Sequence, residues 1–479
     1  MSRINTNIQA MVAARVLAFN NDGMSRSLNR LSTGYRINTG RDDPSGLIAS
    51  ETMRAEKKAI TAAIDNARAA DKMLGVTEAA LGEISSLLLD LEDLVDRTAN
   101  EAALSSEEVQ ANQLQIDTIL SSINRIASSV AYKGEKLLNG RLDYTLSGTG
   151  GSTLSHIQVL GAKLVPNETR SVLVEKVLSA QTGTLVWSST RAGGGPDGSL
   201  TIEVTGNYGT DQLSFASSTS VADMVTAING SKELTGVSAA ASGAVGLTLY
   251  STGYGSDQFV SVSKVSGGST FDTEDLDGAS VSEDYGRDIQ VRINGTDAVT
   301  SGLDATVRSS VLSATLTVAE SANTSSGTYT FGITGGGATF SLAPELGLTG
   351  YEGIGIANMA TTSLGNPTIG RLSTLGSGQA NQMTAKNFAT AQRTIRSSQD
   401  QVSSLRGRIG AFQQATLEST VNSLNVAFEN TSAAESAIRD TDYAQEVSNL
   451  MRQQILVQTS TMTLGMANQI PQNVLGLLG

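Results

Sequence analysis

The sequence predicts an α+β chain. Helices at the N- and C-terminal ends pair as a coiled coil and helical bundle, and a β-rich outer region is inserted between them. Three observations carry this. Apolar residues recur at three-to-four spacing at both ends, the mark of helices that need a partner. The period falls to two in the middle, where glycine clusters punctuate the chain. Proline is rare, at 6 in 479 residues, so long helices go unbroken.

Residues 1 to 34 read as a first helix through Ile4, Ile8, Met11, Met24, Leu28 and Leu31, with Gly34 as its stop. The run Gly40-Arg41-Asp42-Asp43-Pro44-Ser45-Gly46 is a turn cluster. A second helix extends from about Gly46 to Asn100, with Leu81, Ile84, Leu88, Leu91 and Val95 on one face. Ser105-Ser106-Glu107-Glu108 supplies an N-cap and an acidic first turn for a third helix. Its stripe is Ile116, Ile119, Ile123, Ile126 and Val130, and Tyr132-Lys133-Gly134 marks its end. From about 141 to 365 alternation such as Leu200-Thr201-Ile202-Glu203-Val204 predicts strands, with one short helix near Val221 to Asn229. The helical period returns from Gln379 to Glu429 through Val402, Leu405, Ile409 and Phe412. A last helix, from Ala434 to Gln469, is expected to end at Pro471.

Composition narrows the function. The length exceeds one ordinary core, so several domains are expected. A net charge of -13 argues against nucleic acid as a partner, because phosphate binding needs a positive field. With no cysteine and one histidine, His156, the chain lacks material for thiol catalysis, a histidine relay or a metal centre. No run of 18 apolar residues predicts a membrane span. Residues 1 to 41 carry six arginines and one acid, which alone leaves open a transit peptide or a helix lying on a membrane.

Several lesser motifs have plain readings. Thr273, Asp275, Asp277, Gly278 and Asp284 sit at calcium-loop offsets, but position 1 lacks a carboxylate and position 12 lacks glutamate, so a solvated acidic loop is expected. Asn167-Glu168-Thr169 and Asn323-Thr324-Ser325 match a short glycosylation pattern that chance also produces. Gly193 to Gly195 lacks the lysine and helix of a phosphate loop and reads as a turn.

Both ends resemble the bacterial flagellin family. The N-terminal resemblance runs through Arg3-Ile4-Asn5-Thr6-Asn7, Leu28-Asn29-Arg30-Leu31-Ser32-Thr33-Gly34-Tyr35-Arg36-Ile37-Asn38, Arg41-Asp42-Asp43-Pro44-Ser45-Gly46 and Thr77-Glu78-Ala79-Ala80-Leu81. The C-terminal resemblance runs through Asp440-Thr441-Asp442-Tyr443-Ala444-Gln445-Glu446-Val447-Ser448, Gln454-Ile455-Leu456 and Ala467 to Leu478. Matching ends in order displace the transit-peptide and membrane-helix readings.

The resemblance implies a structural, non-enzymatic filament subunit that needs no cofactor or metal. It implies these domains: an N-terminal filament-core helix, 1–42; inner bundle segments, 43–164 and 354–433; a variable β-rich outer region, 165–353; and a C-terminal core helix, 434–479. It implies terminal segments that order on assembly. The expected partners are other copies of the chain, an export chaperone and the flagellar type III export apparatus, the filament cap and hook-associated proteins. The expected location is the extracellular flagellum. Neither nucleic acid nor membrane insertion is expected.

The expected assembly interface is Ile4, Ile8, Met11, Leu28, Leu31, Arg36, Ile455, Leu464, Val474, Leu475, Leu477 and Leu478, with Met451, Met462 and Met466 on the same apolar strip of the last helix. A receptor-contact face known in similar flagellins maps to Asp90, Leu94, Gln115 and Ile119. Three of those positions differ from the receptor-active pattern here, and Leu94 is kept. Rival readings are a hook–filament junction protein and a flagellin with an adhesive, ligand-binding outer domain.

Overall fold

The computed structural model describes residues 6–476 except 101–103, 149–152, 165–168, 190, 192–193, 244, 310, 324–326, 346, 348–349 and 367–368; side chains are described up to Gln469. Expectations for Ile4, Leu477 and Leu478, for most of Asn167-Glu168-Thr169, for Thr324-Ser325 and for Gly193 fall outside these residues, as do the side chains of Val474 and Leu475.

The helices in chain order are α1 (Ile8–Thr33), α2 (Pro44–Thr98), α3 (Ser106–Ser129), α4 (Val221–Gly230), α5 (Lys232–Thr235), α6 (Phe388–Ala411), α7 (Ser419–Arg439) and α8 (Tyr443–Gly476). A π-helical stretch, Phe412–Glu418, joins α6 to α7. The chain forms two compact units: Met1–Asp71 with Ser341–Leu346 and Gln413–Gly479, and Lys72–Phe340 with Gly347–Phe412. The segment expected as one bundle piece, 43–164, is therefore shared between them.

In the first unit Asn7 caps α1, its Oδ1 accepting the Ala10 N–H at 3.0 Å. Gly34 ends the helix in the left-handed region, at φ 73°, as the sequence predicts. Pro44 opens α2, where its missing N–H costs nothing. Ile60, Ala63, Ile64 and Leu424 form a small core.

The C-terminal helices depart from expectation twice. The break falls at Asp440 to Asp442 rather than near residue 430, since α7 continues unbroken through Asn430 to Arg439. Pro471 does not end α8. A proline has no N–H for the carbonyl four residues earlier, Ala467 here. Asn7 Nδ2 donates to that carbonyl instead, at 2.7 Å.

The second unit holds a helical bundle and two β modules. Leu81, Ile84, Leu88, Leu91 and Val95 of α2 are buried, with Ile395, Val402, Leu405 and Ile409 of α6. Opposite charges line the rim: Arg396–Glu92 at 3.0 Å and Arg406–Glu78 at 2.8 Å. Ser105 and Glu108 complete the capping box of α3. The buried stripe of α3 is Ile116, Leu120, Ile123 and Ala127; Ile119 and Ile126 flank it half-buried.

The first β module sets a five-stranded sheet (Tyr144–Ser147, Arg170–Leu178, Gln290–Ile293, Thr296–Asp297, Gly327–Gly336) with a four-stranded sheet (Leu154–Ala162, Val299–Ser301, Asp304–Arg308, Leu312–Val318). Residues of both, Val172, Phe331, Leu316 and Val159 among them, share one core. The expected boundary at residue 165 cuts this module, since Leu154–Ala162 pairs antiparallel with Leu312–Val318.

The second module occupies 184–285 and is inserted in the first. It comprises sheets Thr184–Ser188, Val237–Ser242, Gly246–Ser251, Thr273–Glu274 and Leu200–Gly206, Gly209–Phe215, Phe259–Gly267, Glu283–Tyr285, together with α4 and α5. Its core includes Trp187 stacked on Phe271 at 4.9 Å. Leu200, Ile202 and Val204 point inward at every second position, as their alternation predicts. Chain entry and exit lie side by side: the Gln181 N–H donates to the Arg287 carbonyl at 2.8 Å, and the Arg287 N–H returns the bond at 2.9 Å.

Candidate assembly interface

α1 and α8 pair antiparallel. The residues between them are mostly small or polar. Ala13, Asn20 and Ser27 recur every seventh position on α1, and Glu446, Ser460 and Ala467 follow the same repeat on α8; all are buried. Leu17, Met24, Leu31, Leu450, Val457 and Leu464 flank this seam, half-buried. Asn20 Nδ2 donates to Ser460 Oγ at 2.7 Å, and Arg30 lies 3.7 Å from Glu446.

Other large apolar residues point away from the seam. Ile8, Met11, Val12, Val16, Phe19 and Leu28 are exposed on α1; Met451, Ile455, Leu456, Met462 and Met466 are exposed on α8. Phe19 is 68% exposed and Met462 69%, against 7% for Asn20 and 8% for Ser460. This leaves one of the two seam positions of each heptad to small or polar residues, where an ordinary two-helix coiled coil holds large apolar ones at both. It also divides the expected site. Ile8, Met11, Leu28 and Ile455 lie on the exposed face, whereas Leu31 and Leu464 border the seam. Val12, Val16 and Phe19 belong to that face and do not stand out in the sequence. Their spacing of four, four and three residues from Ile8 is the available signal. Asn20 and Ser460 are also missed, because a search for apolar repeats passes over polar ones.

The base of the pair is stitched by backbone. The Arg36 N–H donates to the Arg439 carbonyl at 2.7 Å, and the Thr441 N–H to the Gly34 carbonyl at 2.9 Å. Arg36 also donates through Nη2 to the Ile438 carbonyl at 2.5 Å, and the Arg439 guanidinium covers the Tyr35 ring at 4.6 Å. In the following turn the Thr39 N–H holds the Asp42 carboxyl below its ordinary pKa, helped by the Thr39 hydroxyl and the Asn38 N–H. The Gly46 N–H and the Ser45 hydroxyl act likewise on Asp43. Carboxylates with lowered pKa stabilise the turn above their unfolded pKa, and that contribution is lost as pH falls through the folded value.

The remaining sequence candidates are ordinary parts of the second unit. Asp90 and Gln115 are exposed, and Leu94 and Ile119 half-buried, on α2 and α3. His156 is an exposed strand residue on Leu154–Ala162. The Asp275 carboxylate accepts the backbone N–H groups of Asp277 at 2.9 Å and Ala279 at 2.8 Å, so it closes its own turn. Among the described residues, no helix is long and apolar enough to cross a membrane.

Comparison with known proteins converges on these ends. A family model described as the bacterial flagellin N-terminal helical region matches residues 4–143, and one described as the bacterial flagellin C-terminal helical region matches residues 392–478. The chain is 26% identical to polar flagellin F of Vibrio parahaemolyticus and 28% identical to a flagellin of Salmonella rubislaw, in each case over 99% of both chains. Among solved structures it is similar to FliC from Burkholderia pseudomallei at 15% identity, over 72% of this chain and 98% of that one, with a TM-score of 0.24.

Proposed function

The chain belongs to the bacterial flagellin family and is a structural subunit of the flagellar filament, and on that premise we propose that the outward apolar faces of α1 and α8 are its polymerisation surface. One observation carries this reading: the pair buries small and polar residues between its helices and leaves many large apolar side chains, Phe19 and Met462 among them, uncovered. Burying a Phe, Ile or Met side chain contributes roughly 1.5–3 kcal/mol. Fixing a backbone residue costs about 1–2 kcal/mol. A helix pair with a small-residue seam therefore gains little alone, and neighbouring subunits supply the missing burial. Nothing in the matches favours a junction protein or an adhesive outer domain.

The finer assignments follow the family reading. Subunits travel through the flagellar export apparatus with a chaperone on the α8 strip, add beneath the filament cap, and meet hook-associated proteins at the filament base. The finished filament is extracellular, with the β modules toward solvent and the helices of the second unit forming its inner bundle.

Limited proteolysis tests the coupling of end ordering to assembly. In monomer, α1 and α8 are expected to be trimmed first, leaving a resistant centre; in filaments both ends are expected to resist. Equal resistance of the ends in both states contradicts the reading.

The face at Asp90, Leu94, Gln115 and Ile119 carries a second expectation. Asp90 is exposed and acidic where the receptor-active pattern is basic. A reversed charge at a partly desolvated contact costs far more than an exposed surface pair contributes. Weak or absent activation of the vertebrate Toll-like receptor by monomer is expected in a reporter assay. Activation at the concentrations typical of strong agonists contradicts it.

A further inference from the structure

The small residues of the seam do little to fix one register. Ala13 and Ser27 on α1 and Ala467 on α8 sit at heptad positions, so their size alone does not distinguish one heptad alignment from the next. Yet one antiparallel alignment holds along the pair: Arg30 meets Glu446, Gly23 meets Gln453, Asn20 meets Leu456 and Ser460, and Asn7 meets Ala467. Two of these contacts are selective. Asn20 Nδ2 donates to Ser460 Oγ at 2.7 Å and reaches the Leu456 carbonyl at 3.4 Å. Asn7 Nδ2 donates at 2.7 Å to the Ala467 carbonyl, the one in α8 that Pro471 leaves without its helical donor.

A slide of one heptad separates both pairs at once. In the slide that brings Gly23 against Glu446, Asn7 faces the Ser460 carbonyl, already bonded within the helix. The Asn20 amide faces Gln453 or Ala467 in place of Ser460, and the Ala467 carbonyl loses its donor. The Ala467 carbonyl left without a partner disfavours that state more than the seam's packing does.

We propose that Asn7 and Asn20, with Ser460 and the Pro471-freed carbonyl of Ala467, fix the register of α1 against α8 and are specificity-determining residues of polymerisation. Register matters because it decides how the exposed residues of α1 line up with those of α8. A shifted pair presents a different combined surface and does not fit the lattice. A single polar residue in a coiled-coil seam has the same effect elsewhere, setting alignment at a cost in stability. The proposal rests on the filament-subunit reading.

The absence of cysteine makes the register directly measurable. The full chain carries either Gly23→Cys with Gln453→Cys, which reports the observed register, or Gly23→Cys with Glu446→Cys, which reports a one-heptad slide of roughly 10 Å. Each pair is placed with and without Asn20→Leu and Pro471→Ala, and intrachain cross-links are scored by gel mobility in seeded filaments and in solution. With the native residues only the first pair is expected to cross-link. With both substitutions both pairs are expected to cross-link, helical signal is expected to stay equal or rise, and seeded growth is expected to fall about tenfold, the factor one lost buried hydrogen bond carries.

Exclusive cross-linking of the first pair in the substituted chain overturns the proposal. It does so even if growth falls, because the residues then act through subunit contacts and not through register. Failure of the unsubstituted chain to extend seeds counts against the filament reading instead, while its intrachain cross-links still report the register.

Discussion

Seeded filament growth is expected to stop when Phe19 and Ile455 are both replaced by glutamate, while the thermal unfolding of the second unit stays where it was. Both side chains lie on the uncovered face, at 68% and 63% exposure, so the isolated subunit loses no core packing. In a lattice each site changes from a buried apolar group, contributing roughly 1.5–3 kcal/mol, to a buried charge without a partner, which is strongly unfavourable. Because every subunit carries both changes, the loss repeats at each addition. The matched control is Ala13→Ser together with Ser27→Ala, which alters the seam conservatively; growth is expected to persist. Normal elongation by the glutamate variant, followed by sedimentation or light scattering, contradicts the assignment of this face.

Removing Thr184 to Tyr285 is expected to leave a subunit that folds and polymerises into thinner, continuous filaments. The Gln181 and Arg287 backbones already bond to each other, so a short turn can join them. The module has its own core around Trp187, Ile202, Met224 and Leu249, and of the residues that pack in the first module's core only the half-buried Tyr254 at its edge is lost. The unfolding midpoint of the remainder is expected to shift by no more than about 4 °C, the equivalent of some 1 kcal/mol. A cut at the boundaries suggested by sequence, 165 to 353, is expected to fare worse. It strips Leu154–Ala162 of its partner Leu312–Val318 and bares Val159 and Ala162. Monomer aggregation separates the two deletions.

That contrast shows where sequence reasoning reaches and where it stops. The helical stripes of α2 and α6 are legible because 3.6-residue periodicity is written locally, and the Gly34 stop and the Ser105 capping box are local too. By sequence the strand at Leu154–Ala162 falls in the bundle segment, because its partner lies some 150 residues on. Pro471 reads as a stop because the donor that rescues the helix, Asn7, sits at the other end of the chain. The uncovered face is half legible. Ile8, Met11, Leu28 and Ile455 emerge as apolar residues at helical spacing, but spacing does not say whether such residues face the chain's own partner helix or another molecule. Only the packing of α1 on α8 separates Leu31 and Leu464, at the seam, from Phe19 and Met462, away from it.

A helical reconstruction of native filaments, at a resolution that places side chains, tests the central claim most directly. It is predicted to show α1 and α8 paired through Ala13, Asn20, Ser27, Ser460 and Ala467, with Ile8, Phe19, Ile455 and Met462 buried against neighbouring subunits. A filament in which those four side chains remain in solvent, or in which subunits contact each other chiefly through the β modules, contradicts it.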